Sequence, residues 1–257
     1  MTEVLTYSLV IGIFVGLAAG YLGSLMVLKK MALVGDAMSH VALPGLALGI
    51  LFNFDRFMGA FAVLFAAAII VWYLGKVTKL SYEALIGAMF TTALAVGVLM
   101  IPQVDLLEAL FGDISSVTLL DTIVAVIVSF VAIVLTRIIY KSMVLGMISE
   151  DLAISKGIKI RRINLLYLLL VSAVVALGIR ITGTLLVGFL VVVPAATAKN
   201  LSLNSFRYAI LSAVFAAVSS LAGILLWGYL SLPPGPMVVL SGLAVFLATV
   251  PVKLHMR

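Results

Sequence analysis

Apolar runs long enough to cross a bilayer recur from one end of this 257-residue chain to the other, and no polar stretch longer than about twenty residues separates them. A membrane-spanning helix takes about 20 apolar residues. On that measure nine segments stand out, at roughly 4–28, 32–52, 57–75, 82–101, 119–139, 163–180, 181–198, 208–230 and 236–252. Hydrophobic residues make up 65% of the chain and charged residues 10%, against about a quarter charged in a soluble domain. The fold class that follows is all-α: a single polytopic membrane domain over residues 1–257, with eight or nine transmembrane helices. Two places leave the count open. Only "GIRITG" joins the segments at 163–180 and 181–198, and the second segment carries Pro44 and Gly45, which permits a broken or re-entrant piece.

Threading the nine segments alternately tests the orientation, because cytoplasmic connections collect Lys and Arg. With the N-terminus outside and the C-terminus cytoplasmic, 14 basic residues fall inside and only Arg56 and Arg180 outside. The outer connections collect Glu3, Asp55, Asp105, Glu108, Asp113 and Asp121. Basic residues confined to short connections write topology, so the net charge of +6 does not indicate nucleic acid. The first apolar run is longer than a signal-peptide core and is expected to be a retained span. Cysteine is absent, so any metal must be met by oxygen and nitrogen.

Within this apolar sequence, "MALVGDAMSHVALPG" at 31–45 places Asp36 and His40 in the second segment. A charge near the middle of a membrane helix costs about 2.5–3.5 kcal/mol on insertion scales, and such a residue usually serves a function. Positions i and i+4 share a helix face about 6 Å apart along the axis, so one carboxylate and one imidazole project into the same space. Together they make half of a Zn²⁺ or Mn²⁺ site, since such sites usually have three or four protein ligands. A second copy of the chain on a two-fold axis would supply the other two. Pro44 and Gly45 loosen the helix just beyond the pair and are candidate gating positions. On spacing alone a second account stands beside this one, in which Gly35 and Asp36 cap a helix at the cytoplasmic interface and His40 bonds to a neighbouring helix.

Elsewhere the signals are weaker. "TGTLLVGFLVVVPAATAKN" sets Thr182, Thr184, Pro194 and Thr197 among small residues, which reads as close helix packing, with a gating hinge at Pro194 as the alternative. "ALFGDISS" at 109–116 reads as a short outer helix ended by Gly112. His255 reads as solvent-facing, and the methionines as packing. The longest cytoplasmic connection, Tyr140 to Arg162, contains "SEDLAISKGI": Ser149 is placed to cap a short helix, Glu150 and Asp151 fall in its first turn, and Gly157 is placed to end it. That helix either engages a partner or rests on the lipid interface.

Three stretches, "MALVGDAMSHVALPG", "SEDLAISKGI" and "LLVGFLVVVPAATAKNLS", resemble, in order, the motifs of the metal-type ABC transporter permeases for zinc, manganese and iron. The resemblance implies a homodimer in a prokaryotic plasma membrane, two copies of a separate cytoplasmic ATPase, and an extracytoplasmic metal-binding protein that delivers the ion. It implies that 149–158 is a coupling helix docking into the ATPase, with Glu150, Ala153 and Gly157 on motif positions beside Asp151. It also implies that Asp36 and His40 form the transport site for a Zn, Mn or Fe ion, with no permanently bound cofactor. No G-x-x-x-x-G-K-[ST] loop occurs in the chain, so ATP must be used by a partner, and the chain is expected to be a transporter subunit and not an enzyme. The competing functions are a gradient-driven transporter using Asp36 and His40 as a proton relay, and an intramembrane enzyme. The latter is disfavoured because Ser39 and His40 are adjacent and diverge on a helix, and no G-x-S-x-G elbow is present.

Overall fold

The computed structural model describes residues 2–101, 109–112, 114, 117–202, 204–230 and 232–255. Asp105, Glu108 and Asp113 lie outside the described residues, as do Ser115 and Ser116 of the short outer helix read at 109–116 and the side chain of His255. Among the described residues the helices with full bounds follow in order: α1 (Thr2–Leu28), α2 (Ala32–Val41), α3 (Leu43–Leu51), α4 (Arg56–Thr78), α5 (Tyr82–Met100), α6 (Leu119–Ile148), α7 (Glu150–Ser155), α8 (Ile160–Leu201), α9 (Ser205–Leu230) and α10 (Pro234–His255). Among the described residues they supply nine candidate spans; α2 and α3 together form one, and α8 contains two.

The interruption between α2 and α3 follows from Pro44, which has no amide to donate one turn back. The amide of Ala42 turns to the carbonyls of Ser39 and His40 instead, and Ala42 keeps φ −72° and ψ −22°. Because that is still right-handed helical backbone, the span is notched and not folded back.

α8 is different. Its one non-helical residue is Gly183, at φ 72° and ψ 175°, a conformation open to glycine and strained for other residues. A Cβ on Gly178 would strike the side chain of Val187, nine residues further on. In a straight helix those positions would lie about 13.5 Å apart along the axis, so the chain doubles back at Gly183 and α8 is a hairpin of two spans. Pro194 lies buried within the second span, which stays helical across it.

α1 runs through the centre, packed against α6, α8 and α9. Gly16 and Gly20 bring its backbone against α9, where the Ser212 hydroxyl donates to the Gly20 carbonyl at 2.6 Å. Small residues give the same close approach where Gly45 of α3 meets Gly59 of α4, with no room for a Cβ on either. Large apolar side chains such as Leu99, Phe130 and Ile138 are exposed on the outside of the bundle. Hydrocarbon is the solvent that suits them.

α6 extends beyond the segment expected at 119–139. It runs to Ile148, and its 30 residues span about 45 Å, more than the roughly 30 Å hydrocarbon core. Tyr140 and Met143 are buried against the bundle and keep the helix going. The connection read from Tyr140 to Arg162 is therefore mostly helix, with only 149–159 lying between α6 and α8.

At the opposite end, Asp121 closes a capping box with Thr118 at the start of α6. It also accepts two bonds from Arg180, at 2.6 and 2.7 Å. The guanidinium in turn lies 4.5 Å from the centre of the Phe57 ring. One bidentate pair thus ties α6 and α4 to the bend of α8. Each partner is 17% exposed, and breaking such a pair leaves a largely buried charge unpaired. Asp121→Ala is expected to lower stability by about 3 kcal/mol, the low end of the range for buried pairs, read from denaturant unfolding of the detergent-solubilised protein.

Candidate functional site

Asp36 is the fifth residue of α2, and the N-cap, Met31, makes no side-chain cap bond. The helix-cap account of Asp36 is therefore wrong: the carboxylate sits mid-helix, where no orphan amide needs it. Its partner account fails too. His40 is 9% exposed, and its Nδ1 has no hydrogen-bond partner. The imidazole packs instead against the Phe90 ring of α5, with centroids 5.3 Å apart.

Three contacts hold the pair in place. The Ser39 hydroxyl lies 2.6 Å from the carbonyls of both Asp36 and Thr184, pinning α2 to the residue just after the α8 bend. The Thr184 hydroxyl donates to the Ala109 carbonyl at 3.1 Å. At Gly188 the second span of α8 comes so close to Asp36 that a Cβ would meet the aspartate's Cα and Cβ at 2.7 Å. A side chain there would push α2 away and move both candidate ligands. Sequence reading assigned Thr184 to packing and gave Ser39 no structural part. Neither Ser39 nor Gly188 carries a signal within its own helix, because each acts across a tertiary contact.

Asp36 is exposed and opens onto a groove of about 260 Å³ between α2 and α5. No group of three or more His, Cys, Asp or Glu residues able to hold a metal occurs among the described residues. Within a single chain the candidate ligands are therefore Asp36 and His40, an incomplete set for Zn²⁺ or Mn²⁺.

The other predicted site residues lie elsewhere. Pro44 is the second residue of α3, and Gly45 is the α4 contact described above. The short helix α7 is capped by Ser149, whose hydroxyl accepts from the Leu152 amide at 3.2 Å. It is ended by Gly157 at φ 76°, with amide bonds from Gly157 to Ile154 and from Ile158 to Ala153. That is the left-handed stop glycine permits. Ala153 is fully buried and anchors α7, while Glu150, Asp151, Leu152 and Ile154 are exposed.

α7 and the end of α1 border one pocket of about 430 Å³, lined among others by Leu28, Lys29, Tyr82, Glu150 and Asn164. Lys29 donates to Asn164 at 2.9 Å and lies over the rings of Tyr82 and Tyr167. Burial lowers its pKa from 10.5 to about 8. The folded chain then releases this proton before the unfolded chain does, so stability rises with pH between about 8 and 10.5. Lys29→Met is expected to flatten that rise, measured as thermal unfolding of wild type and variant between about pH 7 and pH 10.

Nine candidate spans among the described residues, with an acid and an imidazole on the notched one, define the chain as a multi-pass membrane protein. Over residues 1–253 the sequence matches the ABC 3 transport family, and the chain belongs to that family. It is 30% identical over 253 residues to the high-affinity zinc uptake system membrane protein ZnuB of Haemophilus influenzae, covering 96% of each chain. It is 28% identical over 243 residues to the manganese transport system membrane protein MntC of Listeria innocua, covering 93% of this chain and 87% of that one. Among solved structures it resembles PsaBC from Streptococcus pneumoniae in complex with Fab, with a TM-score of 0.82, 29% identity, and coverage of 95% of this chain and 90% of that one.

Proposed function

We propose that this chain is the membrane subunit of an ATP-driven importer for a divalent transition metal, manganese, zinc or iron, and that the ion passes between two protomers at Asp36 and His40. The observation that carries the reading is the setting of that pair: an exposed carboxylate locked against Gly188, one turn from a buried imidazole whose Nδ1 has no partner. Two such half-sites on a two-fold axis give four oxygen and nitrogen ligands, a set that suits these ions.

The N-terminus lies outside, as the charge distribution requires. An extracytoplasmic binding protein releases the ion into the axial cavity, where Asp36 and His40 hold it transiently. On the cytoplasmic side α7 docks into a separate ATPase through Glu150, Asp151 and the exposed Leu152 and Ile154, while Ala153 fixes it to the bundle and Gly157 sets its end. Nucleotide-driven movement of α7 switches the cavity from outward to inward access. Pro44, Gly45 and Pro194 are the places where the spans next to the ligands flex.

The test is ATPase stimulation of the reconstituted permease–ATPase complex with its binding protein, measured across Zn²⁺, Mn²⁺ and Fe²⁺. Stimulation by at least one of them is expected. Metal uptake that needs no ATPase and collapses with an uncoupler would instead establish a gradient-driven transporter.

A further inference from the structure

The groove beside Asp36 contains a second acid that sequence reading passed over. Of the side chains lining it, only Asp36 and Glu83 are polar; the rest, Leu33 and Phe90 among them, are apolar apart from Gly87. Glu83, Gly87 and Phe90 fall on one face of α5, with Gly87 about 6 Å and Phe90 about 10.5 Å beyond Glu83 along the axis. Phe90 is the ring against His40, so it marks the depth of the metal pair. Glu83 stands two turns away, at the start of α5. That end is the α7 end, because the adjacent Tyr82 lies under Lys29 and borders the pocket that Glu150 also lines.

Glu83 lies in the first turn of α5, where the helix dipole favours an acid, but no partner among the described residues fixes its side chain and no close approach requires Gly87. α5 is capped by Ser81, which accepts from the Ala84 amide at 3.2 Å, and not by Glu83. Glu83 is exposed and makes no hydrogen bond or ion pair among the described residues. Gly87 has ordinary helical backbone, and a Cβ there would meet nothing within 4 Å. Unlike Gly45 or Gly188, it is not needed for a close approach. Its missing side chain leaves the groove open between the two acids.

We propose that this groove is the inward release path for the ion, with Glu83 the carboxylate that takes it from Asp36 and Gly87 the position that keeps the way clear. The inference rests on Asp36 and His40 being the transport site. Apolar walls give a divalent ion no oxygen to replace the ligands it leaves, so a second carboxylate within two turns lowers the cost of leaving. Ion paths generally need several weak sites and not one tight one.

The experiment uses the reconstituted permease–ATPase complex with its binding protein, with Mn²⁺ as the probe. Uptake is followed in proteoliposomes, and equilibrium Mn²⁺ binding is measured on the same complex in detergent. Gly87→Leu is expected to cut the maximal uptake rate by about tenfold or more with Mn²⁺ binding unchanged, and Gly87→Ala to stay within about twofold of wild type. Glu83→Gln is expected to slow uptake by about fivefold or more with binding unchanged, and Glu83→Asp to restore most of it. Wild-type uptake by Gly87→Leu or by Glu83→Gln overturns the proposal. Loss of Mn²⁺ binding in Glu83→Gln also overturns it, by placing Glu83 in the loading site itself. Failure of the underlying reading gives a different result: Asp36→Asn would then bind and transport Mn²⁺ like wild type.

Discussion

Asp36→Asn and His40→Ala should each abolish metal uptake into proteoliposomes while the permease still assembles with its ATPase. Asparagine keeps the size of the carboxylate and its neighbours Gly188 and Ser39 but removes the charge that binds the ion. Taking away one partner of a desolvated charge interaction costs about 2–5 kcal/mol, and at about 1.4 kcal/mol per decade the middle of that range is about three-hundredfold in affinity. In a two-fold site each substitution acts twice, so uptake should fall to background. His40→Ala also removes the ring packed against Phe90, so its assembly and unfolding midpoint must be measured alongside uptake. Asp36→Asn carries no such packing change and is the cleaner variant. Wild-type uptake by either would remove the residue from the transport site.

The second large effect is expected at α7. Deleting 150–157 should leave the spans inserted but abolish both ATP-driven uptake and the stimulation of the ATPase by metal-loaded binding protein. Two milder variants separate the causes. Leu152→Ser with Ile154→Ser keeps both caps and the buried Ala153 but strips the exposed apolar edge, so it should weaken docking of the ATPase. Gly157→Val meets open space, yet forces a β-branched residue to φ 76°. A left-handed conformation costs about 1–2 kcal/mol per residue, enough to loosen the end of a six-residue helix. Normal coupling in the deletion variant would mean that 149–159 is only a connector.

Most of the fold was legible in the sequence, because hydrocarbon thickness imposes a length on every apolar run. The nine expected segments coincide with the nine candidate spans, and the break near Pro44 and the turn near "GIRITG" were both visible as points of doubt. α6 was underestimated because a helix that leaves the membrane while still packed on the protein loses its apolar run without losing its helical hydrogen bonds. Ser149 and Gly157 stand at the two ends of α7 because capping chemistry is local.

The candidate site was legible only along its own helix. The spacing of Asp36 and His40 places them on one face, but which face is open and which is pinned depends on Ser39, Thr184 and Gly188, residues joined across 145 or more positions of sequence. Arg180 and Asp121 were both assigned outside the membrane without being paired, since their contact depends on the hairpin at Gly183. Glu83 went unnoticed for the same reason. An acid in the first turn of a helix is ordinary, and only the packing of α5 beside α2 brings it into the groove with Asp36.

The central claim, that two protomers share one ion between their Asp36 and His40 side chains, is tested most directly by metal stoichiometry. Purified, dimeric permease–ATPase complex is equilibrated with Mn²⁺, and bound metal is counted against protein by elemental analysis. One tightly held ion per two permease chains is expected, and none in Asp36→Asn. One ion per chain, or an unchanged count in Asp36→Asn, would contradict the account.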